Sequence, residues 1–266
     1  MSRIRYLAAI SAEPARLAHY YVRYFGMQVF ARSESGDLSL TDGYFNLTCF
    51  KQRPSLRELE PRVGIGLNHI GLQVDSIAAV KERYLAFDPN GLVVPEPGGP
   101  HYGTVRIHDP EFMPITLSEG SFGVEDGPVK LPRLLHVALN AFAPPRIMDF
   151  YQQVFELRPL TQTNQPWIRA GRPNRFMGDG MVNLAIHAFY TDNPGHQGRY
   201  GVNHFGFMLQ GWKDLMQEIG RHYPAAPRPA NRPFEDARVE DPDGNMVDLG
   251  ETKGWEVDDQ VWVTAS

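Results

Sequence analysis

The sequence predicts an α+β fold of four βαβββ modules paired into two domains, each a curved mixed sheet flanked by helices. Three observations predict it. The first is a duplicated pair of strand-like motifs. "LNHIGLQV" (Leu67 to Val74) precedes "HDPEFMPITL" (His108 to Leu117), and "VNHFGFML" (Val202 to Leu209) precedes "EDPDGNMVDL" (Glu240 to Leu249) at a similar distance. His204 follows His69 by 135 residues and Asp241 follows Asp109 by 132, and a repeat of fixed period sets architecture before any residue has a role. The second is a set of four apolar stripes at helical spacing. The third is "GSFGVEDGPVKLPR" (Gly120 to Arg133), rich in Gly, Pro and charge and without apolar period. It reads as a linker that divides the chain into domains at residues 1–120 and 133–266.

The elements follow in order. Tyr6 to Ile10 is the first strand, and Leu17, Tyr20, Tyr21, Tyr24 and Phe25 form the stripe of the first helix. Gly26 ends that helix, and strands follow at Asp37 to Leu40 and Tyr44 to Phe50. In the second module Ile77, Val80, Tyr84 and Leu85 mark the helix. The third opens on the strand Leu135 to Ala141, and its helix carries Ile147, Phe150, Tyr151, Val154 and Phe155. The fourth helix uses Trp212, Leu215, Met216 and Ile219. "DPEF" and "DPDG" are turns, since Pro fixes φ and Asp or Gly accepts tight-turn geometry. "YPAAPRPANRP" (Tyr223 to Pro233) is too proline-dense for a helix and reads as a loop before the last strand.

Composition excludes several classes of function. Hydrophobic residues make up 42% of 266 and charged residues 21%, as in an ordinary globular protein. A net charge of -5 argues against a nucleic-acid partner, which would select a basic face. The lone Cys49 permits no internal disulfide, so a reducing compartment is expected. "MSRIRYLAAIS" is too short an apolar run for a signal peptide, and no run approaches membrane length. The expectation is a cytoplasmic, homo-oligomeric protein that handles a small-molecule substrate, with no membrane partner.

Two motifs carry a resemblance to a known family. "HVALNAFAPPRIMDFYQQVFEL" from His136 is similar to a strand that opens on a ligand histidine and runs into an "FY…LG" helix, and "NHFGFML" with "DPDGNMVDL" is similar to a closing module. Both resemble the vicinal oxygen chelate superfamily, which includes glyoxalase I, bleomycin-resistance proteins and extradiol dioxygenases. The resemblance covers residues 4–120 and 133–252. It implies metal-ligand positions on the first and last strands of paired modules: His136, Asn183, His204 and Asp248 in the second half, and Tyr6, Asn46, His69 and Thr116 in the first. One imidazole does not hold a divalent ion, so the first half should be metal-free. In the second half His136, His204 and Asp248 should bind the metal. Two His and one carboxylate on one face is the pattern of non-haem Fe(II) oxygenases. Fe(II) is therefore expected, with Mn(II), Zn(II) or Ni(II) as alternatives. Strand parity puts Asp248 and Gly250 on one face and turns Glu251 away. The family usually places Glu where Asp248 stands, and Asp is one methylene shorter, so the strand must sit closer to the metal or a water must bridge. Asn183 and Asn46, kept in "DGMVNL" and "DGYFNL", read as structural amides.

Ring-cleaving members place a His and a Tyr upstream of the closing strand for proton transfer. Pro229 and Arg238 stand at those positions, and neither titrates near neutral pH. His187 shares strand parity with Asn183 and is expected to face the cavity as an acid–base residue, with Arg238 meeting substrate charge. His196, Tyr200 and His222 are further substitutes, and Arg169, Arg175 and Arg228 could hold an acidic group. Three functions follow: an extradiol-type dioxygenase acting on a small aromatic or enolic substrate with vicinal oxygens, a glyoxalase-like lyase or isomerase, and a small-molecule binding protein without catalysis.

Overall fold

A computed structural model of the chain describes residues 2–53, 64–128, 130–162, 175–189, 200–223, 237–252 and 255–256. The first module is β1 (Arg3–Ser11), α1 (Pro14–Phe25), β2 (Gln28–Arg32), β3 (Leu38–Thr41) and β4 (Asn46–Lys51). The second is β5 (Gly66–Gln73), α2 (Ile77–Phe87), β6 (Val94–Pro95), β7 (Val105–His108) and β8 (Pro114–Ser118). The third comprises β9 (Arg133–Ala141), α3 (Pro144–Phe155), β10 (Arg158–Pro159), β11 (Thr161–Gln162), β12 (Phe176–Gly178) and β13 (Asn183–Ala188). The fourth has β14 (Gly201–Met208), α4 (Trp212–Gly220), β15 (Ala237–Glu240) and β16 (Met246–Gly250). Its described residues read βαββ, and positions 224–233 of the expected proline-rich loop lie outside them. β17 (Trp255–Glu256) pairs with β11 apart from the two main sheets.

The strand order is β2-β3-β4-β1-β5-β8-β7-β6 in one sheet and β10-β12-β13-β9-β14-β16-β15 in the other. Each sheet joins two modules through their first strands, β1 antiparallel to β5 and β9 antiparallel to β14, while β1–β4, β5–β8, β9–β13 and β14–β16 run parallel. The fold is α+β with the same topology twice. Among the described residues, no helix is long and apolar enough to cross a membrane.

The helical stripes seat the helices. In α1 all five stripe residues are buried, as are all five in α3. Both helices begin with proline, whose missing N–H has no helical partner at that position in any case. Gly26 closes α1 at φ 63, a left-handed cap that glycine adopts without steric cost. The stripe of α2 is narrower than its sequence suggests. Val80 and Tyr84 are buried, but Leu85 is 40% exposed, because it lies at the edge of a face already filled by Tyr84. In α4 Ile219 is buried, and Trp212, Leu215 and Met216 cover the core while partly exposed.

The stretch from Gly120 to Arg133 is more than a linker. Phe122 and Val124 are buried, and the Phe122 ring stacks on Tyr6 with centroids 4.8 Å apart. Asp126 meets the buried Arg5 guanidinium at 2.7 Å. Arg133, the last residue of the stretch, already belongs to β9.

The halves interlock reciprocally through the repeated "DG" turns. Asp179 Oδ2 accepts from Ile4 N at 2.6 Å, and Asp42 Oδ2 accepts from Leu134 N at 2.8 Å. The other oxygen of each carboxylate takes two amides of its own turn, Met181 and Val182 for Asp179, Tyr44 and Phe45 for Asp42. Asp179→Ala would strand three N–H donors at a buried seam, so urea unfolding should show a loss of roughly 2–4 kcal/mol.

Candidate metal centre

Sheet register assembles the centre. His136 on β9 lies opposite Asn183 on β13 and opposite Gly206 on β14; Gly206 in turn lies opposite Asp248 on β16, and Asp248 opposite Arg238 on β15. Residues in one such row share a face of the sheet. Gly206 is the gap in the middle of the row. A Cβ there would stand 3.1 Å from Asp248 Cβ and 3.4 Å from His136 Cβ, so its absence lets the flanking side chains lean together. Gly71 serves the first half in the same way, where a Cβ would meet Tyr6 and Thr116 at 2.8 Å each. The glycine was legible in "HIG" and "HFG", yet its purpose depends on which strands flank it.

The three expected ligands converge. His136 Nε2 lies 3.2 Å from His204 Nε2, and His204 Nε2 lies 3.3 Å from Asp248 Oδ2. One ligand atom from each fits within 4.8 Å of the others, the group of this kind found among the described residues. Both outer nitrogens face amide oxygens: His136 Nδ1 to Asn183 Oδ1 at 3.2 Å, and His204 Nδ1 to Asn203 Oδ1 at 2.7 Å. An amide oxygen only accepts, so each Nδ1 carries the hydrogen and each Nε2 presents a lone pair. Two lone pairs facing each other beside a carboxylate oxygen repel unless a cation stands among them. The donor set fits a divalent metal, and Asn183 takes the place of a fourth ligand while fixing His136.

Burial pushes the His204 pKa from 6.5 down to about 3. Between these values the unfolded chain binds a proton that the folded chain refuses, so the metal-free fold should lose stability as pH falls, by about 1.4 kcal/mol per unit. Burial lowers His69 to about 3 as well, so urea midpoints should fall between pH 7 and pH 5, and His204→Gln should remove about half of that slope.

The remaining expected residues divide. His187 faces the centre: its ring lies 5.7 Å from that of His204, nearly parallel, and Phe176 packs beside both His136 and His187. Arg238 does not stand ready to meet substrate charge as expected. Its Nε reaches Asp248 Oδ1 at 2.5 Å and its Nη2 reaches Oδ2 at 3.0 Å, so the buried guanidinium forks both carboxylate oxygens, including the one that faces His204. The reason is hairpin register, which sets residues 238 and 248 side by side. Tyr200 directs its hydroxyl to the Glu111 carbonyl and stacks its ring on Phe142. His222 belongs to the turn that closes α4. Arg175 precedes β12 and gives its carbonyl to Ile186 N. Arg169, His196, Arg228 and Pro229 lie outside the described residues.

The corresponding first-half positions meet protein partners. Tyr6 Oη donates to His101 O at 2.7 Å, Asn46 Nδ2 to Pro100 O and Phe122 O, and Thr116 Oγ1 to Glu96 Oε2 at 2.5 Å. His69 Nδ1 pairs with Asn68 Oδ1 at 2.7 Å. Asn68 and Asn203 are the same "NH" motif, a repeated support for the imidazole that the sequence displayed without its meaning.

Residues 133–249 match the Glyoxalase/Bleomycin resistance protein/Dioxygenase superfamily. No curated protein matches the chain. Among solved structures, the 2,3-dioxygenase LapB from Pseudomonas sp. KL28 is similar over 97% of this chain and 94% of its own, with a TM-score of 0.65 at 13% identity. Homoprotocatechuate 2,3-dioxygenase from Arthrobacter globiformis aligns over 93% of this chain and 78% of its own, with a TM-score of 0.63 at 15% identity. A Mn(II)-bound glyoxalase from Novosphingobium aromaticivorans aligns over 94% and 82%, with a TM-score of 0.65 at 13% identity. At such identities the likeness is one of fold.

Proposed function

We propose that the protein, whose residues 133–249 match the glyoxalase/bleomycin resistance protein/dioxygenase superfamily, is a metal-dependent enzyme, and specifically an extradiol-type dioxygenase. Its substrate is a small aromatic or enolic molecule with two adjacent oxygen atoms. One observation carries the reading: two imidazole lone pairs and a carboxylate oxygen meet within hydrogen-bond distance, and among the described residues these three form the metal-ligating group. Two His and one carboxylate with open positions suit Fe(II). When bound, iron would supply a Lewis acid that accepts vicinal oxygens and O2 together.

The chain's own groups supply the rest. Asn183 and Asn203 hold the tautomers of His136 and His204. Phe176 supplies an aromatic wall beside His136 and His187. His187 is the titratable group beside the ligands, placed to take a proton from a substrate hydroxyl and return it later. Arg238 fixes the orientation of Asp248 rather than touching the substrate. Lyase or isomerase chemistry prefers carboxylates at both last-strand positions, and Asn183 lacks one. Elemental analysis of protein purified without chelator tests the reading. About one iron per chain supports a dioxygenase; zinc or nickel points to a lyase or isomerase, and no metal to a binding protein.

A further inference from the structure

We infer that Arg238 sets the charge of the centre and makes it selective for chelators that arrive as dianions; this rests on the metal reading above. The Arg238 side chain is fully buried and holds both oxygens of Asp248, at 2.5 and 3.0 Å. Its Nη1 is turned toward Met246 Sδ at 3.7 Å. Ladder pairing puts the two residues side by side, so the grip is built into the hairpin. Among the described groups that form the centre the charge count is short. Asp248 contributes one negative charge, Arg238 cancels it, and His136 and His204 are neutral ligands. A divalent cation held by these groups keeps its full charge, whereas beside an uncompensated Asp248 it would keep only half. In a buried site that difference falls on whatever ligand completes the centre. A chelator with two negative charges brings it to neutrality, and one with a single charge leaves it cationic.

The first half supplies an independent observation. Arg106 stands 132 residues before Arg238 and lies opposite Thr116 as Arg238 lies opposite Asp248. Thr116 has no charge, and there a different carboxylate is brought in. Glu96 Oε1 lies 3.6 Å from Arg106 Nε, and Glu96 Oε2 accepts from Thr116 Oγ1. The module thus pairs this arginine with a carboxylate even where the ligand position has none. Asp248 enters the centre already compensated.

Oxalate and oxamate test this, since both offer adjacent oxygens in nearly one shape but carry two charges and one. Mn(II)-loaded protein is titrated with each by calorimetry, with manganese counted by elemental analysis. The wild type should prefer oxalate. Arg238→Gln should lose about tenfold of that preference, and Arg238→Lys, which restores the charge, should keep it. An unchanged preference in a manganese-loaded Gln variant would overturn the inference. So would a Lys variant that falls as far as Gln, because geometry rather than charge would then be responsible. A Gln variant that keeps its circular dichroism but loses manganese would reduce Arg238 to a support for Asp248, which also overturns it. Failure of the wild type to take up Mn(II) would instead sink the metal reading, and the inference with it.

Discussion

His136→Ala and His204→Ala should each abolish stoichiometric metal binding, and His69→Ala should leave it unchanged. The two Nε2 atoms lie 3.2 Å apart with Asp248 Oδ2 3.3 Å from one of them, so each histidine would be a third of the proposed ligand set. Two remaining protein ligands seldom hold a labile divalent ion, and affinity should fall by at least about 100-fold. His69 has the same place in its own module but different company. Its ring pairs with Asn68 and lies 5.6 Å from Tyr6, and Tyr6, Asn46 and Thr116 are hydrogen-bonded to protein. Elemental analysis after dialysis against each metal reads the outcome, with circular dichroism showing that each variant is folded. Metal lost from the His69 variant would mean that the modules are paired wrongly.

Sequence periodicity carried α1 and α3 completely, because their five stripe residues fill a core on one side only. It failed at Leu85 of α2, where Val80 and Tyr84 are buried and Ile77 partly so, while Leu85 is 40% exposed. It failed again at Phe122, a single aromatic in a Gly- and Pro-rich stretch whose burial depends on a partner, Tyr6, far back in the chain. Strand parity placed His187 beside His204 and Asp248 in the ligand row. The Arg238–Asp248 pair could have been read as well. The "DPDG" turn is closed by Asp241 N donating to Asn245 O, so residues 240 and 246 pair, then 238 and 248. Counting outward from the turn finds the pair, whereas comparison with a family pattern points Arg238 at the substrate.

O2 uptake should require Fe(II) together with a substrate bearing two adjacent oxygen atoms, and His187→Ala should slow it by about 100- to 10,000-fold without loss of metal. His136, His204 and Asp248 would hold the ion, and three protein side chains would leave room on it for a bidentate substrate and O2. Such a substrate brings hydroxyl protons that must leave. His187 lies beside the ligands, its ring 5.7 Å from that of His204, and touches Phe176 on the other side. Arg238 cannot take that role, being forked to Asp248, and Tyr200 has its hydroxyl on Glu111. An oxygen electrode run with catechol, with and without Fe(II), reads the first part. The second is read on the His187 variant, where an acid–base role predicts a fall in kcat with a shifted pH profile, and a wall-like role predicts a change in KM alone. Anaerobic turnover of a vicinal-oxygen substrate, with Zn(II) or Ni(II) serving as well as iron, would overturn the oxygenase reading. The same three ligands would then be acting as a Lewis-acid site for a lyase or isomerase.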